Sequence, residues 1–421
     1  MTDDNIVIEA VNLKKFFPVM KGFLASLIPT EKISAITQSI KNFLRKPFLK
    51  ETWINLKRND EPFIIIIQNK LTSGFKCFNH SIATIISKTY RELFTKDGWK
   101  SNIVFLKRIF SGGEQLYVHA VDGVSFKIMR GETFGLVGES GCGKSTTGFL
   151  LLHLLDKTSG EIYFKGTNTA SLSKREIKKL RKDIQIVFQN PYDSLSPRFR
   201  VLDIVAEPLR LLKIDRDEAV IEEKVIAEME AVGLVPARDF LDRYAHELSG
   251  GQRQRVGVAR AFILNPEFIV ADEPVSMLDV SIRVGVLKIM QELIKLHGTA
   301  FLFITHDLAL ARNMCDRIAV MYLGRIVEQG ETEQLIKQPL HPYTQALIAA
   351  VPKPDPDARR IEELPIKGEV PSGIYIPEGC RFQDRCLYAE GDCFKIDPQL
   401  EKVEEDYFVA CIRYKNINNM E

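Results

Sequence analysis

Three short runs in this chain carry residue types suited to one chemistry, the handling of a nucleoside triphosphate. Gly138-Glu-Ser-Gly-Cys-Gly-Lys144-Ser145-Thr146 has the spacing Gly-x4-Gly-Lys-Ser/Thr, in which backbone N–H groups wrap phosphate oxygens while a lysine and a hydroxyl reach the terminal phosphate and Mg2+. Gly141 and Gly143 lack a Cβ and let the backbone approach the phosphates, and a helix starting near Lys144 aims its positive end at the same charge. Lys144 is expected on the β- and γ-phosphates and Ser145 on Mg2+, with Gly138, Ser140, Gly141, Cys142, Gly143 and Thr146 completing an ATP cradle. The second run, Leu248-Ser249-Gly250-Gly251-Gln252, opens another helical stretch and makes a second helix N-terminus suited to an anion. The third is Asp272-Glu273, which supplies one carboxylate for the Mg2+ shell and one to orient or deprotonate an attacking water. An Asp-Glu pair is ordinarily a solvated strand end; behind a phosphate loop and four apolar residues it reads as a catalytic pair.

Such groups need rigid elements to position them. Thr133 to Val137 reads as a short buried strand, the Gly-rich loop follows, and Lys144 to Leu155 reads as an apolar helix, so the loop sits between strand and helix. Phe268 to Ala271 and Ala300 to Ile304 are further buried-strand patterns, the second leading into His306-Asp307, and Gln252 to Leu264 reads as a helix. The pattern is that of an α/β fold.

From Val121-Asp-Gly-Val-Ser-Phe126 through the phosphate loop, Gln185-Ile-Val-Phe-Gln-Asn-Pro191, Ala206-Glu-Pro208 and Ala271-Asp-Glu-Pro-Val-Ser276, the chain resembles the ATP-binding subunits of ABC importers for peptides and nickel. His341-Pro-Tyr-Thr-Gln-Ala346 and Gly368-Glu-Val-Pro371 agree with that branch, and the detailed wording is nearest one of the two ATPase subunit types of oligopeptide permeases. The resemblance implies a RecA-like P-loop NTPase core, an arm of antiparallel strands, a helical subdomain near residues 192–255 and a cysteine-bearing C-terminal extension. It implies that His306 is a switch histidine at the γ-phosphate, that Gln189 senses Mg2+ and water, and that Asp279 belongs to the D-loop. With Ser145 and Asp272, Gln189 would then complete the Mg2+ shell. Since one chain cannot use two phosphate cradles on one nucleotide in that arrangement, Ser249 is expected to meet ATP held by a second cassette.

The partners implied are a second, OppD-like ATPase subunit in a head-to-tail pair, two transmembrane permease subunits and an extracytoplasmic peptide-binding protein. The activity implied is ATP hydrolysis powering oligopeptide uptake, by a translocase peripheral to the cytoplasmic face of the membrane. Dipeptides, nickel or another solute stay open at this point, as does a soluble cassette ATPase of repair or translation. The latter class generally fuses two cassettes or carries a long coiled coil, and this chain has one cassette and neither.

Four of the seven cysteines, Cys380, Cys386, Cys393 and Cys411, fall near the C-terminal end. Their gaps do not form the short Cys-x2-Cys knuckles of common zinc sites, so spacing alone is a partial metal signal. Four thiolates suit Zn2+ or an iron–sulfur cluster, and the resemblance implies [4Fe-4S], with Zn2+ and unligated thiols as alternatives. Cys77 and Cys315 have no evident partners and read as packing residues.

Composition bounds the rest. The 421 residues carry 57 Lys plus Arg against 55 Asp plus Glu, a balance that gives no reason to expect nucleic acid as a partner. The start, Met-Thr-Asp-Asp, lacks the basic and apolar segments of an export signal, and no apolar run approaches the roughly 18 residues needed to span a bilayer; a reducing, cytoplasmic setting is expected. The organisation expected is a nucleotide-binding domain over 1–22 plus 114–332, an insertion over 23–113 and an extension over 333–421. The insertion holds 15 Lys plus Arg and 6 Asp plus Glu, a net charge of +9. Within it Ile33, Ile36, Ile40, Phe43 and Leu44 follow helical spacing beside Lys41, Arg45 and Lys46, which suits an amphipathic helix on an anionic membrane or on the membrane subunits; an added lobe with a solvated basic face is the alternative. The resemblance implies an aromatic ring stacked on adenine ahead of the phosphate loop, for which Tyr117 is the nearest candidate, with a place in a strand core as the alternative.

Overall fold

The structure is a computed structural model that describes residues 5–19, 116–190, 195–351 and 366–418. The basic insertion, its amphipathic segment and Cys77 lie outside the described residues.

The chain runs through β1 (Ile6–Pro18), β2 (Tyr117–Met129), β3 (Thr133–Val137), α1 (Lys144–Leu151), β4 (Ser159–Phe164), β5 (Thr167–Asn168), α2 (Lys174–Leu180) and β6 (Ile184–Val187). A helical stretch follows, with α3 (Val201–Leu211), α4 (Glu218–Ala231), α5 (Arg238–Leu241) and α6 (Gly250–Phe262). Then come β7 (Phe268–Asp272), α7 (Val280–His297), β8 (Ala300–Thr305), α8 (Leu308–Met314), β9 (Arg317–Tyr322) and β10 (Arg325–Glu331). The C-terminal part adds α9 (Thr332–Lys337), α10 (Pro342–Ala349), β11 (Glu401–Glu404), β12 (Tyr407–Val409) and α11 (Tyr414–Ile417).

The larger sheet has the order β11-β12-β10-β9-β3-β8-β7-β6. Its strands are parallel from β9 through β6 and antiparallel at the C-terminal edge. Strands β3, β7 and β8 are buried at every residue, as unbroken apolar runs are when both faces of a parallel sheet are covered. Alternate residues feed two cores: Ile269, Ala271, Phe301 and Phe303 pack among residues of α3, α4, α6 and α7, whereas Phe268, Val270, Leu302 and Ile304 pack with α1 and the smaller sheet. Burying each such phenylalanine is worth about 2 kcal/mol.

Register decides what these strands present. Val137 pairs with Thr305, Asp272 with Ile304, and Val187 with Ala271. The carboxyl ends of β3, β8, β7 and β6 therefore coincide along one edge, where open parallel sheets place their ligand sites. The three expected strands are present, two of them one residue longer. The helix read as Lys144–Leu155 stops at Leu151, because the chain turns through His153, whose backbone is left-handed at φ 53°. The helix read from Gln252 starts at Gly250, because Ser249 caps it.

The smaller sheet has the order β2-β1-β4-β5, with β4 antiparallel to β1 and β5. Val7, Ala10, Leu13, Val121, Val124 and Phe126 of this sheet join the second core. Where β1 gives way to the insertion, the Val19 N–H donates to the Leu116 carbonyl at 2.8 Å. At the other end, β12 pairs with β10 and draws the C-terminal part onto the main sheet. The join is polar and satisfied: the buried Glu328 carboxylate accepts from the backbone N–H groups of Leu340 (2.6 Å) and His341 (3.1 Å) and from the Tyr407 hydroxyl (2.6 Å).

Candidate functional site

The loop after β3 is shaped by close backbone contact. Gly143 has φ 107°, and a Cβ there would stand 2.0 Å from the Ala120 carbonyl oxygen; at Gly138 it would stand 2.2 Å from that of Met321. Only glycine fits either position. Lys144 is buried, and its Nζ donates to the carbonyls of Gly138 (2.7 Å) and Glu139 (2.9 Å). The Thr147 hydroxyl bonds the Gly143 carbonyl at 3.0 Å and closes the first turn of α1. Ser140 and Gly141 are exposed at the loop's crest, Ser145 and Thr146 are half-buried, and Cys142 is buried, which pushes its thiol up.

The acids stand on the neighbouring strand end. Ser145 Oγ donates to Asp272 Oδ1 at 2.9 Å. Desolvation by burial raises the Asp272 pKa, with the Ser145 hydrogen bond opposing it. Glu273, the next residue, takes the left-handed backbone conformation at φ 44°, which costs a non-glycine residue about 1–3 kcal/mol unless its surroundings enforce it. They do: its N–H donates to the Ile304 carbonyl at 2.9 Å, and its own carbonyl accepts from Ser276 N–H (3.2 Å) and Oγ (3.1 Å). This turn brings the side chain between two partners. Gln189 Nε2 donates to Glu273 Oε2 at 3.0 Å, and His306 Nδ1 lies 3.1 Å from Glu273 Oε1.

Gln189 follows β6 and His306 follows β8, so the sheet edge gathers Ser145 with Asp272, and Gln189 with Glu273 and His306. Asp307 caps α8 by accepting from the N–H groups of Ala309 (2.8 Å) and Leu310 (3.2 Å), leaving His306 exposed beside a small cavity lined by Glu273, Ser276, Arg283, Thr305 and Asp307.

Other residues singled out in the sequence stand at other element ends. Ser249 is the exposed N-cap of α6, its hydroxyl accepting from Gln252 N–H at 3.3 Å while Gln252 Oε1 accepts from Ser249 N–H at 2.9 Å. Leu248 is buried, and a Cβ at Gly251 would stand 2.6 Å from Ile282 of α7. Asp279 is the exposed N-cap residue of α7, without a side-chain capping bond. Tyr117 is exposed at the start of β2.

The metal site expected at the C-terminal cysteines is corrected by the structure. Among the described residues no three His, Cys, Asp or Glu side chains group so as to hold a metal ion. Cys380, Cys386, Cys393 and Cys411 line a small cavity with His341, Pro342 and Phe382, and Cys380, Cys386 and Cys411 pack against the main core. Burial pushes the Cys380 thiol up to about 12 and Cys411 up to about 11. Set among apolar side chains, the four suit the role of small apolar packing groups, and neither an iron–sulfur cluster nor Zn2+ is assigned to them. Cys315 is buried in the same core, its sulfur 2.8 Å from where a Cβ on Gly135 would be.

Sequence reasoning passed over several residues that touch the phosphate loop. Glu139 accepts a two-pronged ion pair from Arg385, with Nη1 to Oε2 at 2.6 Å and Nη2 to Oε1 at 3.0 Å. Its N–H donates to the Tyr343 hydroxyl at 3.0 Å. Arg381 pairs with Asp122, and with this arginine as counter-charge the Asp122 carboxyl sits at about 2 despite burial, which opposes the shift. The available signal was the run Cys380-Arg-Phe-Gln-Asp-Arg-Cys386, with two arginines four residues apart; the cysteines drew the reading instead.

Two family models match this chain: ABC transporter over residues 121–276, and oligopeptide/dipeptide transporter C-terminal region over residues 327–393. Among curated proteins, YkfD of Bacillus subtilis is 48% identical over 75% of this chain and 96% of its own length. The dipeptide transport ATP-binding protein DppF of Haemophilus influenzae is 46% identical, over 75% of this chain and 94% of that protein. The oligopeptide transport ATP-binding protein OppF of the same organism is 45% identical, over 70% and 88%. With the phosphate loop and the paired acids gathered on one sheet edge, and with both family regions present in order, the chain belongs to the ATP-binding subunits of ABC transporters, in the branch that carries the oligopeptide/dipeptide C-terminal region.

Proposed function

We propose that this protein is the ATP-hydrolysing subunit of an ABC importer that drives oligopeptide uptake. One observation carries the reading. The glutamate after β7 is held at one carboxylate oxygen by Gln189 and at the other by His306, next to an aspartate bonded to the serine of the phosphate loop. In this reading Lys144 binds the β- and γ-phosphates together with Gly138, Ser140, Gly141, Cys142, Gly143, Ser145 and Thr146 of the loop. Glu273 accepts the proton of the attacking water, with Gln189 and His306 fixing the direction in which its oxygens point. The Ser145 hydroxyl and the Asp272 carboxylate, whose charge burial disfavours, suit a divalent cation, and with Gln189 they would hold Mg2+. Mg2+ would supply charge neutralisation at the β- and γ-oxygens.

Ser249 stands exposed at the N-terminal tip of α6, where the positive end of the helix favours an anion. Our reading is that this tip and Asp279 face ATP on a second, OppD-like subunit in a head-to-tail pair. Closure on ATP pulls the helices over residues 192–255 and, through them, two permease subunits at the cytoplasmic face of the membrane, with an extracytoplasmic peptide-binding protein supplying the solute. Tyr117 is assigned to adenine. The corresponding domain bounds are 1–22 plus 114–332 for the cassette, 23–113 for the insertion and 333–421 for the extension. The test is ATP turnover by the assembled complex stimulated by peptide and its binding protein; a complex that consumes no ATP, or consumes it with Ser249 replaced by arginine as fast as without, overturns this function.

A further inference from the structure

We propose that the C-terminal extension is a working part of the ATP site: Arg385 and Tyr343 are positioning residues that hold Glu139 of the phosphate loop and neutralise its carboxylate, so that the loop accepts a triphosphate. The inference rests on the ATP-binding reading of that loop. Glu139 is the second residue of the run that wraps the phosphates, and its carbonyl is one of the two that take the Lys144 ammonium. Its carboxylate is thus a negative charge built into a cradle for a polyanion, and left free it would repel the ligand the loop serves.

The extension answers that charge at two points. Arg385 grips both carboxylate oxygens in fork geometry, the strongest arrangement for such a pair. Tyr343 accepts the Glu139 N–H at 3.0 Å, which fixes the backbone from the same side. Neither group is a mobile surface contact. The Arg385 side chain is 5% exposed, and its guanidinium carbon lies 5.8 Å from the Tyr322 ring centre and 6.0 Å from that of Phe382. Tyr343, Tyr322 and Phe382 pack on one another with ring centres 4.8 to 5.4 Å apart. Four residues earlier, Arg381 bonds Asp122 and the Leu323 carbonyl, pinning the same segment to the cassette. A contact that served only to fasten the extension could end on any surface acid; this one ends on the phosphate loop, and Arg381 already provides the fastening.

The experiment is equilibrium binding of MgATP to the full-length chain, with turnover of the assembled complex as a second readout. Arg385→Met is expected to weaken ATP binding about tenfold, and to raise KM by a larger factor than it lowers kcat. Adding Glu139→Gln in the Arg385→Met background removes the uncompensated charge and is expected to restore binding to within about threefold of wild type. Wild-type binding by Arg385→Met overturns the proposal, and so does equal weakening in the single and double variants, since a purely structural loss is not repaired by removing a carboxylate. Should Arg385→Met not fold, Tyr343→Phe decides, as it keeps the ring: about threefold weaker binding supports the proposal, and unchanged binding overturns it. A wild-type chain that binds no ATP would sink the nucleotide reading itself, whereas indifferent variants of a chain that binds ATP sink only this inference.

Discussion

Glu273 shows how a single residue is prepared for its task. Its backbone is held left-handed by Ile304 and Ser276, and its two oxygens are directed by Gln189 and His306. Glu273→Gln keeps the shape and one acceptor oxygen but cannot take a proton, so turnover in the assembled complex should fall on the order of 100-fold or more while ATP stays bound; a rate near wild type would show that another group takes the proton. Lys144→Ala should act on binding instead, weakening ATP affinity as measured by titration calorimetry, because the buried ammonium is the loop's only lysine. That these two residues belong to one site was legible in the sequence, since the loop and the Asp-Glu pair are contiguous and follow unbroken apolar runs. The Glu139–Arg385 pair was not, because nothing in a sequence tells which of many acids and arginines fold onto each other across such a separation.

At the scale of elements, two helix starts make distinguishable predictions. Ser249 is both a candidate ligand for ATP on a facing subunit and the cap of α6, so its loss confounds function with stability. Ser249→Asp separates them: aspartate caps a helix as well as serine does, so thermal stability should hold, while the added negative charge should abolish ATP-induced pairing of the Glu273→Gln subunit with its OppD-like mate in sedimentation measurements.

The other start is α10, capped by His341, whose Nδ1 accepts from the Tyr343 N–H at 3.0 Å. Burial lowers the His341 pKa to about 3, whereas the unfolded chain takes up its proton near 6.5. The unfolded state therefore binds the extra proton between those values, and stability falls as pH drops through that window. From pH 6.5 to pH 5 this one group should cost about 2 kcal/mol. His341→Asn keeps a capping oxygen and removes the titration; urea unfolding at the two pH values should show the variant losing less stability than the wild type. Three strands of the main sheet and the start of α1 were readable from apolar runs and the phosphate loop, but the end of α1 was not, since it depends on a backbone turn at His153 that no residue type announces. The cysteines misled for a related reason: clustering along the chain is not the same as convergence of ligands, and burial pushes the Cys380, Cys386 and Cys411 thiols up.

For the whole molecule, the extension and the cassette share one sheet and one core. Phe382, buried among Tyr322, Tyr343 and His341, belongs to the extension by sequence and to the cassette by packing. Phe382→Ala should lower unfolding stability by about 3–5 kcal/mol in a single transition seen alike by fluorescence and circular dichroism; a separate early transition of the extension would contradict a shared core.

The short bond from Val19 to Leu116 has a consequence of its own. The polypeptide leaves the described residues and re-enters them at neighbouring backbone groups, so the two ends that bound residues 20–115 are held together at 2.8 Å, and the entropy of closing such a loop grows only with the logarithm of its length. Two chain ends prearranged for one another in this way make the seam a natural socket for a reporter or an affinity handle.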